Sequence, residues 1–279
     1  MWKKNGKWNG PMNIGKMIIK MKIRQLDING NDGSVCAFTT ERGAADCFNP
    51  YSEFNCCDYT GDVSEHYEAC REELRKGLGV DRLLLPRQVH SVKVAVADDA
   101  FFSMSEEAQI KCLDGVDAVV TDRKGVVAGV YTADCVPMLF YDVSRRIVAA
   151  AHAGWKGTMN GIATETLKAM AEMGSRMEDI KVVFGPSICR NCFEVGDEVV
   201  EQFAEKPYVM EDIMVRHPVM GKAHIDLVAA NRFWMLRAGV PMENITVSGL
   251  CTRCQPERFF SARALGVKSG RIVTGIVLR

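Results

Sequence analysis

No stretch of this 279-residue sequence approaches the roughly 18 uninterrupted apolar residues that a membrane-spanning helix requires. The most apolar run, Val126 to Val143, is broken by Thr132, Asp134 and Pro137. Net charge is also lacking: 35 basic residues meet 35 acidic ones, so no global field draws the chain to nucleic acid, a membrane or a polyanion. A small, locally recognised ligand suits that balance. The chain contains no internal repeat, low-complexity tract or Pro/Ser-rich linker, which predicts a single domain over residues 21–279. Residues 1–20 are rich in Lys, Asn and Gly, bury little, and read as an N-terminal extension. A secretory leader is missing from the opening MWKKNGKWNG, and eleven cysteines make an odd number; both point to a reducing cytoplasm.

What is present is an ordinary globular composition, 47% hydrophobic and 25% charged. From Asp62 to Gly79, Val63, Tyr67, Cys70, Leu74 and Leu78 recur at helical spacing, with Asp62 or Ser64 as cap and Gly79 as stop. Short β-rich runs follow at Leu83–Leu85, Val89–Ala97, Ala118–Thr121, Val126–Tyr131, Val136–Tyr141 and Ile147–Ala151, several of them apolar on both faces as central strands are. Helices are expected at Thr158–Met173, near Gly196–Glu205, and at Asp226–Ala238, closed by Gly239. Further strands are expected at Val182–Val183, Ile245–Ser248 and Ile272–Leu278. Strands and helices are mixed without strict alternation, which favours a layered mixed β-sheet with flanking helices, of the α/β or α+β class.

Three segments end or interrupt apolar strands with a metal-competent side chain: Gln88-Val89-His90, Ala133-Asp134-Cys135 and His152-Ala153-Gly154-Trp155. A buried His or Cys needs a partner, and one shared cation satisfies all three. Two imidazoles and a thiolate suit zinc, with copper as the alternative, and three protein ligands leave the fourth position open, as in catalytic zinc sites. Spacings of 45 and 17 positions are too long to be diagnostic by themselves.

The sequence resembles the laccase-domain family, also described as YfiH-like or polyphenol-oxidase-like and associated with purine nucleoside phosphorylase activity. The resemblance rests on Phe38-Thr39-Thr40, Gly61-Asp62, Gln88-Val89-His90-Ser91, Asp117 to Asp122, Ala133-Asp134-Cys135-Val136-Pro137, His152 to Gly157, Gly185-Pro186, Phe193 to Gly196 and Phe259 to Arg263. It implies metal ligation by His90, Cys135 and His152, and a fold shared distantly with the cytotoxic necrotizing factor deamidases. It further implies phosphorolysis of adenosine, inosine, guanosine or methylthioadenosine and deamination of adenosine, so that purine nucleoside and phosphate are the partners. Copper-dependent oxidation of phenols has also been attributed to the family. Glu41, Cys56-Cys57, Cys70 and Lys156 depart from residues common in relatives; they touch substrate contacts, not the ligand set.

Within this frame Asp134 carries a proton or orients a ligand, and Gln88 bonds base or ribose, each with simple support of the metal ligands from behind as its rival role. Arg71, Lys156 and Arg263 are the cations available for phosphate. Phe259 and Phe260, read as neighbours on a strand, present at most one ring to a ligand. His66, His217 and His224 read as surface or locally hydrogen-bonded residues. Cys189 with Cys192 and Cys251 with Cys254 form two CxxC pairs whose spacing suits a structural zinc site, against a reading as small buried hydrophobes. Two other chemistries compete for the main site: a metal-free hydrolase with Cys135 as nucleophile and His152 as base, and a binding module whose metal only braces the sheet.

Overall fold

The computed structural model describes residues 21–28, 33–44 and 49–279, so the expected N-terminal extension lies outside the described residues. In chain order the strands are β1 (Ile23–Gln25), β2 (Val35–Thr40), β3 (Arg82–Leu84), β4 (Val94–Ala97), β5 (Ala118–Thr121), β6 (Val126–Thr132), β7 (Val136–Asp142) and β8 (Ile147–Ala153), then β9 (Ile180–Phe184), β10 (Glu194–Val195), β11 (Met214–Arg216), β12 (Ala223–Ile225), β13 (Ile245–Val247) and β14 (Ile272–Leu278). The helices are α1 (Ser64–Leu78), α2 (Asp99–Phe102), α3 (Glu106–Cys112), α4 (Trp155–Met159), α5 (Ile162–Glu172), α6 (Asp197–Ala204), α7 (Met210–Ile213), α8 (Leu227–Ala238) and α9 (Ala262–Leu265).

Two mixed sheets stack face to face. One runs β1-β2-β14-β6-β3 and the other β13-β9-β7-β8-β5-β4, with a small third sheet, β10-β12-β11, beside them. The period of two decides which residues meet. Val119, Leu139, Val148 and Ala150 of the six-stranded sheet face Ala37, Val130 and Ile276 of the five-stranded one. Alternate residues Val120, Met138, Phe140 and Ala149 turn outward, beneath Ile162, Leu167 and Met170 of α5 and Ala230 and Met235 of α8. On the far side Cys70, Leu74 and Leu78, four residues apart along α1, cover Phe38, Val127 and Tyr131. The result is four layers, helix–sheet–sheet–helix, and every residue of β5 to β8 is buried, in keeping with their largely apolar composition.

Several expected elements differ, each for a local reason. Only Val94–Ala97 of the expected Val89–Ala97 strand pairs. Upstream, the backbone N–H groups of Val89, His90 and Ser91 donate to the Asp117 carboxylate instead of to a neighbouring strand. The helix expected at Thr158–Met173 is two helices, α4 and α5, because Gly161 takes a left-handed φ of 82° between them. In α1 the cap position falls to Val63, while Asp62 accepts from Val63 N, Asn55 Nδ2 and the His66 ring. Phe259 and Phe260 lie in a bend, not a strand, and both are buried with Ala133 and Ile272, so neither presents a ring to a ligand. Among the described residues no helix is long and apolar enough to cross a membrane.

Candidate metal centre

The site forms where the chain passes between the two stacked sheets. The β3–β4 loop leaves the five-stranded sheet and enters the six-stranded one, carrying His90; the β6–β7 turn does the same, carrying Cys135. His152 lies near the end of β8, paired with Pro137 at the start of β7 and on the inter-sheet side by its parity with Val148 and Ala150. Two crossovers and one strand end thus meet at the same edge of the sandwich. The donor atoms of His90, Cys135 and His152 all lie within 4.8 Å of one another, and among the described residues the cluster holds no fourth His, Cys or carboxylate donor.

The spacing fits a cation. Cys135 Sγ is 3.7 Å from His90 Nε2, and tetrahedral coordination at about 2.0–2.3 Å per bond separates ligand atoms by roughly 3.3–3.8 Å. The imidazole rings of His90 and His152 stand edge to face with centroids 4.8 Å apart. The cluster also depends on a missing side chain: a Cβ on Gly154 would collide with the His90 ring and lie 3.2 Å from Cys135 Sγ. Two of its backbone positions are left-handed, His90 at φ 61° and Asp134 at φ 89°. Such conformations cost of order 1–3 kcal/mol each and persist where surrounding contacts over-determine them.

Asp117 supplies those contacts for His90. Wholly buried just before β5, its carboxylate accepts from the N–H groups of Val89, His90 and Ser91, from Ser91 Oγ at 2.7 Å and from His152 Nδ1 at 2.7 Å. Burial works against its charge, but the bonds from His152 and Ser91 prevail and hold its pKa below the usual carboxylate range. One carboxylate therefore sets the His90 loop and fixes His152 with Nδ1–H inward and Nε2 toward the cluster. Sequence reasoning assigned Asp117 no role; the available signal was an acid directly ahead of a strand apolar on both faces. Burial raises the Cys135 thiol, yet the neighbouring His152 and His90 outweigh it and bring its pKa to about 6. Burial likewise lowers the imidazolium pKa of His152, while Cys135 and Asp117 lift it to about 9. Even without a cation the geometry favours a thiolate, the form that binds metals.

The other expected site residues are spread more widely. Asp134, next to Cys135, accepts from Thr252 Oγ1 and from the backbone N–H of Arg263, both at 2.7 Å. Gln88 is nearly buried and its amide is committed twice to the backbone of Tyr131, donating to the carbonyl and accepting from the N–H, each at 2.8 Å; it pins the His90 loop to β6. Arg71 is held by Cys56 O, Tyr131 Oη and Asp58 on the α1 side. It lines a groove of about 660 Å³, together with Arg82, Arg87 and Leu85, that includes none of the three cluster residues. Lys156 is exposed two positions beyond Gly154, its ammonium over the Trp155 ring. Arg263 is exposed and donates to Glu194 O at 3.0 Å. His66 is buried, not on the surface, between Asp62 and Glu53 O. The His217 ring accepts locally from the Val219 and Met220 N–H groups, and the His224 ring bonds to Arg190 O, 34 positions away in sequence.

The family model described as multi-copper polyphenol oxidoreductase laccase matches residues 35–279. The chain is 48% identical over 258 residues to a protein named adenosine deaminase RL5, from an unknown prokaryotic organism, covering 92% of this chain and 98% of that one. It is 39% identical over 248 residues to a purine nucleoside phosphorylase of Bacteroides thetaiotaomicron, covering 88% and 92%. The crystal structure of a hypothetical protein YfiH from Bacillus licheniformis superposes with a TM-score of 0.79 at 31% identity, over 88% of this chain and 94% of that one. With the match running from β2 to the last strand and through all three segments of the cluster, the chain belongs to the laccase-domain, YfiH-like family.

Proposed function

We propose that this protein is a purine nucleoside enzyme that uses a zinc-class cation held by His90, Cys135 and His152 for phosphorolysis of nucleosides such as adenosine, inosine, guanosine and methylthioadenosine, and for deamination of adenosine. The observation that carries the reading is the three-donor cluster itself: a mixed N/S set, graded from buried His152 to exposed His90, with no fourth protein donor among the described residues. The names of the relatives supply the substrate class. When bound, the cation supplies Lewis acidity on the open side of the cluster.

The chain's own residues do the rest. Asp117 keeps His152 in one tautomer and His90 in one loop conformation, so the ligands need no rearrangement when substrate arrives. Phosphorolysis requires an anion placed against the charge that develops on the ribose. Lys156 and Arg263 are exposed cations attached to the cluster's edge, one through the Gly154 turn and one through Asp134. Arg71, tied to Asp58, Cys56 and Tyr131, braces α1 against β6. Asp134, with each carboxylate oxygen accepting one hydrogen bond, orients Cys135 and the Arg263 segment.

A metal-free reading has one feature in its favour, the Cys135 sulfur within 4.8 Å of the donor nitrogens of His152 and His90, where burial raises the thiol pKa but their proximity brings it down to about 6. Chelation separates the two. Turnover of adenosine and inosine, with and without inorganic phosphate, is expected to vanish in protein stripped of metal and to return with added zinc. Full turnover by stripped protein, with a substrate fragment retained on Cys135, would establish the covalent hydrolase instead.

A further inference from the structure

Outside the proposed active site, the two CxxC pairs noted in the sequence converge. The segment after β9 and the segment after β13 run side by side: Ser187 bridges Cys251, Ser187 N–H donates to Leu250 O, and Thr252 N–H donates to Ser187 O. This pairing brings the Sγ atoms of Cys189, Cys192, Cys251 and Cys254 within 4.8 Å of one another. Cys192 Sγ and Cys254 Sγ are 3.4 Å apart. Four sulfurs bound to zinc at about 2.3 Å stand roughly 3.8 Å from each other.

Three features point to a bound cation. Cys251 Sγ accepts two backbone N–H groups, from Cys189 at 3.3 Å and from Cys254 at 3.4 Å. These bonds suit a thiolate, and the second closes a tight turn between the two cysteines of one pair. The guanidinium of Arg253 also lies 3.8 Å from Cys192 Sγ, adding positive charge beside the sulfurs. Apolar packing does not account for the cluster, because only Cys251 is buried, Cys189 and Cys192 are half-buried and Cys254 is exposed.

We infer that Cys189, Cys192, Cys251 and Cys254 form a second, closed tetrathiolate site for a zinc-class cation that clasps the two segments together. Its place in the fold says what it braces. Each clasped segment holds Asp134: Ile188 N–H donates to its carbonyl at 2.9 Å and Thr252 Oγ1 to its carboxylate at 2.7 Å. Asp134 has the left-handed backbone that aims Cys135. The clasp therefore holds the neighbour of a ligand of the first centre without sharing a donor with it.

The test does not depend on the proposed nucleoside chemistry, since it reads metal and thiols. The full-length His90→Ala/His152→Ala variant, prepared metal-free under reducing conditions, is titrated with zinc chloride and pulse-labelled with iodoacetamide. One equivalent of zinc is expected to bind and to protect the 189, 192, 251 and 254 thiols from alkylation at least tenfold, leaving exposed Cys112 reacting at its original rate. Wild-type protein is expected to take up two equivalents and Cys189→Ser/Cys254→Ser one. Cobalt(II) in the first variant should give the sulfur-to-cobalt absorption of an all-thiolate site. The inference is overturned if no zinc binds the first variant, if the four thiols label as fast as Cys112 with zinc present, or if peptide mapping of wild-type protein kept under reducing conditions finds a Cys192–Cys254 disulfide.

Discussion

The cluster of His90, Cys135 and His152 and the cluster of Cys189, Cys192, Cys251 and Cys254 are neighbours through Asp134, yet they are built by opposite means. The first takes its ligands from two inter-sheet crossovers and a buried strand end, mixes nitrogen with sulfur, and has a wholly buried carboxylate behind it. The second takes four sulfurs from two surface segments, with backbone N–H groups behind one of them. Three donors on a rigid frame leave room for a substrate; four donors on loops leave none and return order to the loops. The difference separates three donors set on buried crossovers and a strand end from four carried on paired segments nearer the surface.

Removing one ligand from each cluster tests that division most severely. His152→Ala is expected to cost nucleoside turnover on the order of 10³-fold or more while the protein stays folded. Cys254→Ser is expected to lower the melting temperature by several degrees and turnover by less than tenfold. Paired steady-state assays and thermal melts decide it. Equal activity losses would erase the distinction between the two clusters.

Gly154→Ala sharpens it from the packing side. The new Cβ collides with the His90 ring, and neither this contact nor the Cys135 one can relax without moving a ligand. A displacement near 1 Å at such a position costs about 10²-fold in rate. Zinc content at the four-cysteine cluster should be unchanged, as read by metal analysis of the purified variant.

Asp117→Asn probes the support behind the first centre. Asparagine keeps the shape but offers an amide to His152 Nδ1 and loses the charge that gathers three backbone N–H groups and the Ser91 hydroxyl. A loss of about 10–100-fold in zinc affinity is expected, measured by competition with a chromophoric chelator. An unchanged affinity would mean that the two crossovers alone hold the ligands.

The sequence makes these parts legible to different degrees. The buried strands β6 to β8 announce themselves because runs of five or six residues without a charged or hydroxyl-only side chain, Val126–Tyr131, Val136–Tyr141 and Ile147–Ala151, suit a strand covered on both faces. Strands β5 and β14 are marked more faintly, by Ala118–Val120 and by a run that Thr274 interrupts. The position of His152 near the end of such a run is equally plain. The surroundings of His90 are not: Val89 to Ala97 has strand composition, but Asp117, distant in sequence, diverts its first N–H groups and turns His90 left-handed. The division into two stacked sheets is hidden for the same reason, since nothing local distinguishes a turn within a sheet from a crossover between sheets. The strand β2, the capped helix α3 and the three-stranded sheet escaped notice because short elements carry little periodicity.

The smallest expected effect uses a site outside both clusters as a reference of opposite sign. His66 on α1 is buried, which lowers its imidazolium pKa, but Asp62 at 2.7 Å and the Cys70 sulfur outweigh that and raise it to about 10. A folded-state pKa above the unfolded value of about 6.5 contributes stability that is full below pH 6.5 and lost as pH climbs through 10. Metal ligands behave in reverse, because thiols and imidazoles must shed protons to bind, so zinc stabilises more as pH rises. Urea unfolding of metal-free protein between pH 6 and pH 10 should therefore show a decline that flattens in His66→Gln. The zinc-loaded protein should show less decline, because the two dependences oppose each other. If His66→Gln leaves the metal-free slope intact, the Asp62–His66 pair is not its source, and zinc-dependent slopes then report on the ligand clusters without that correction.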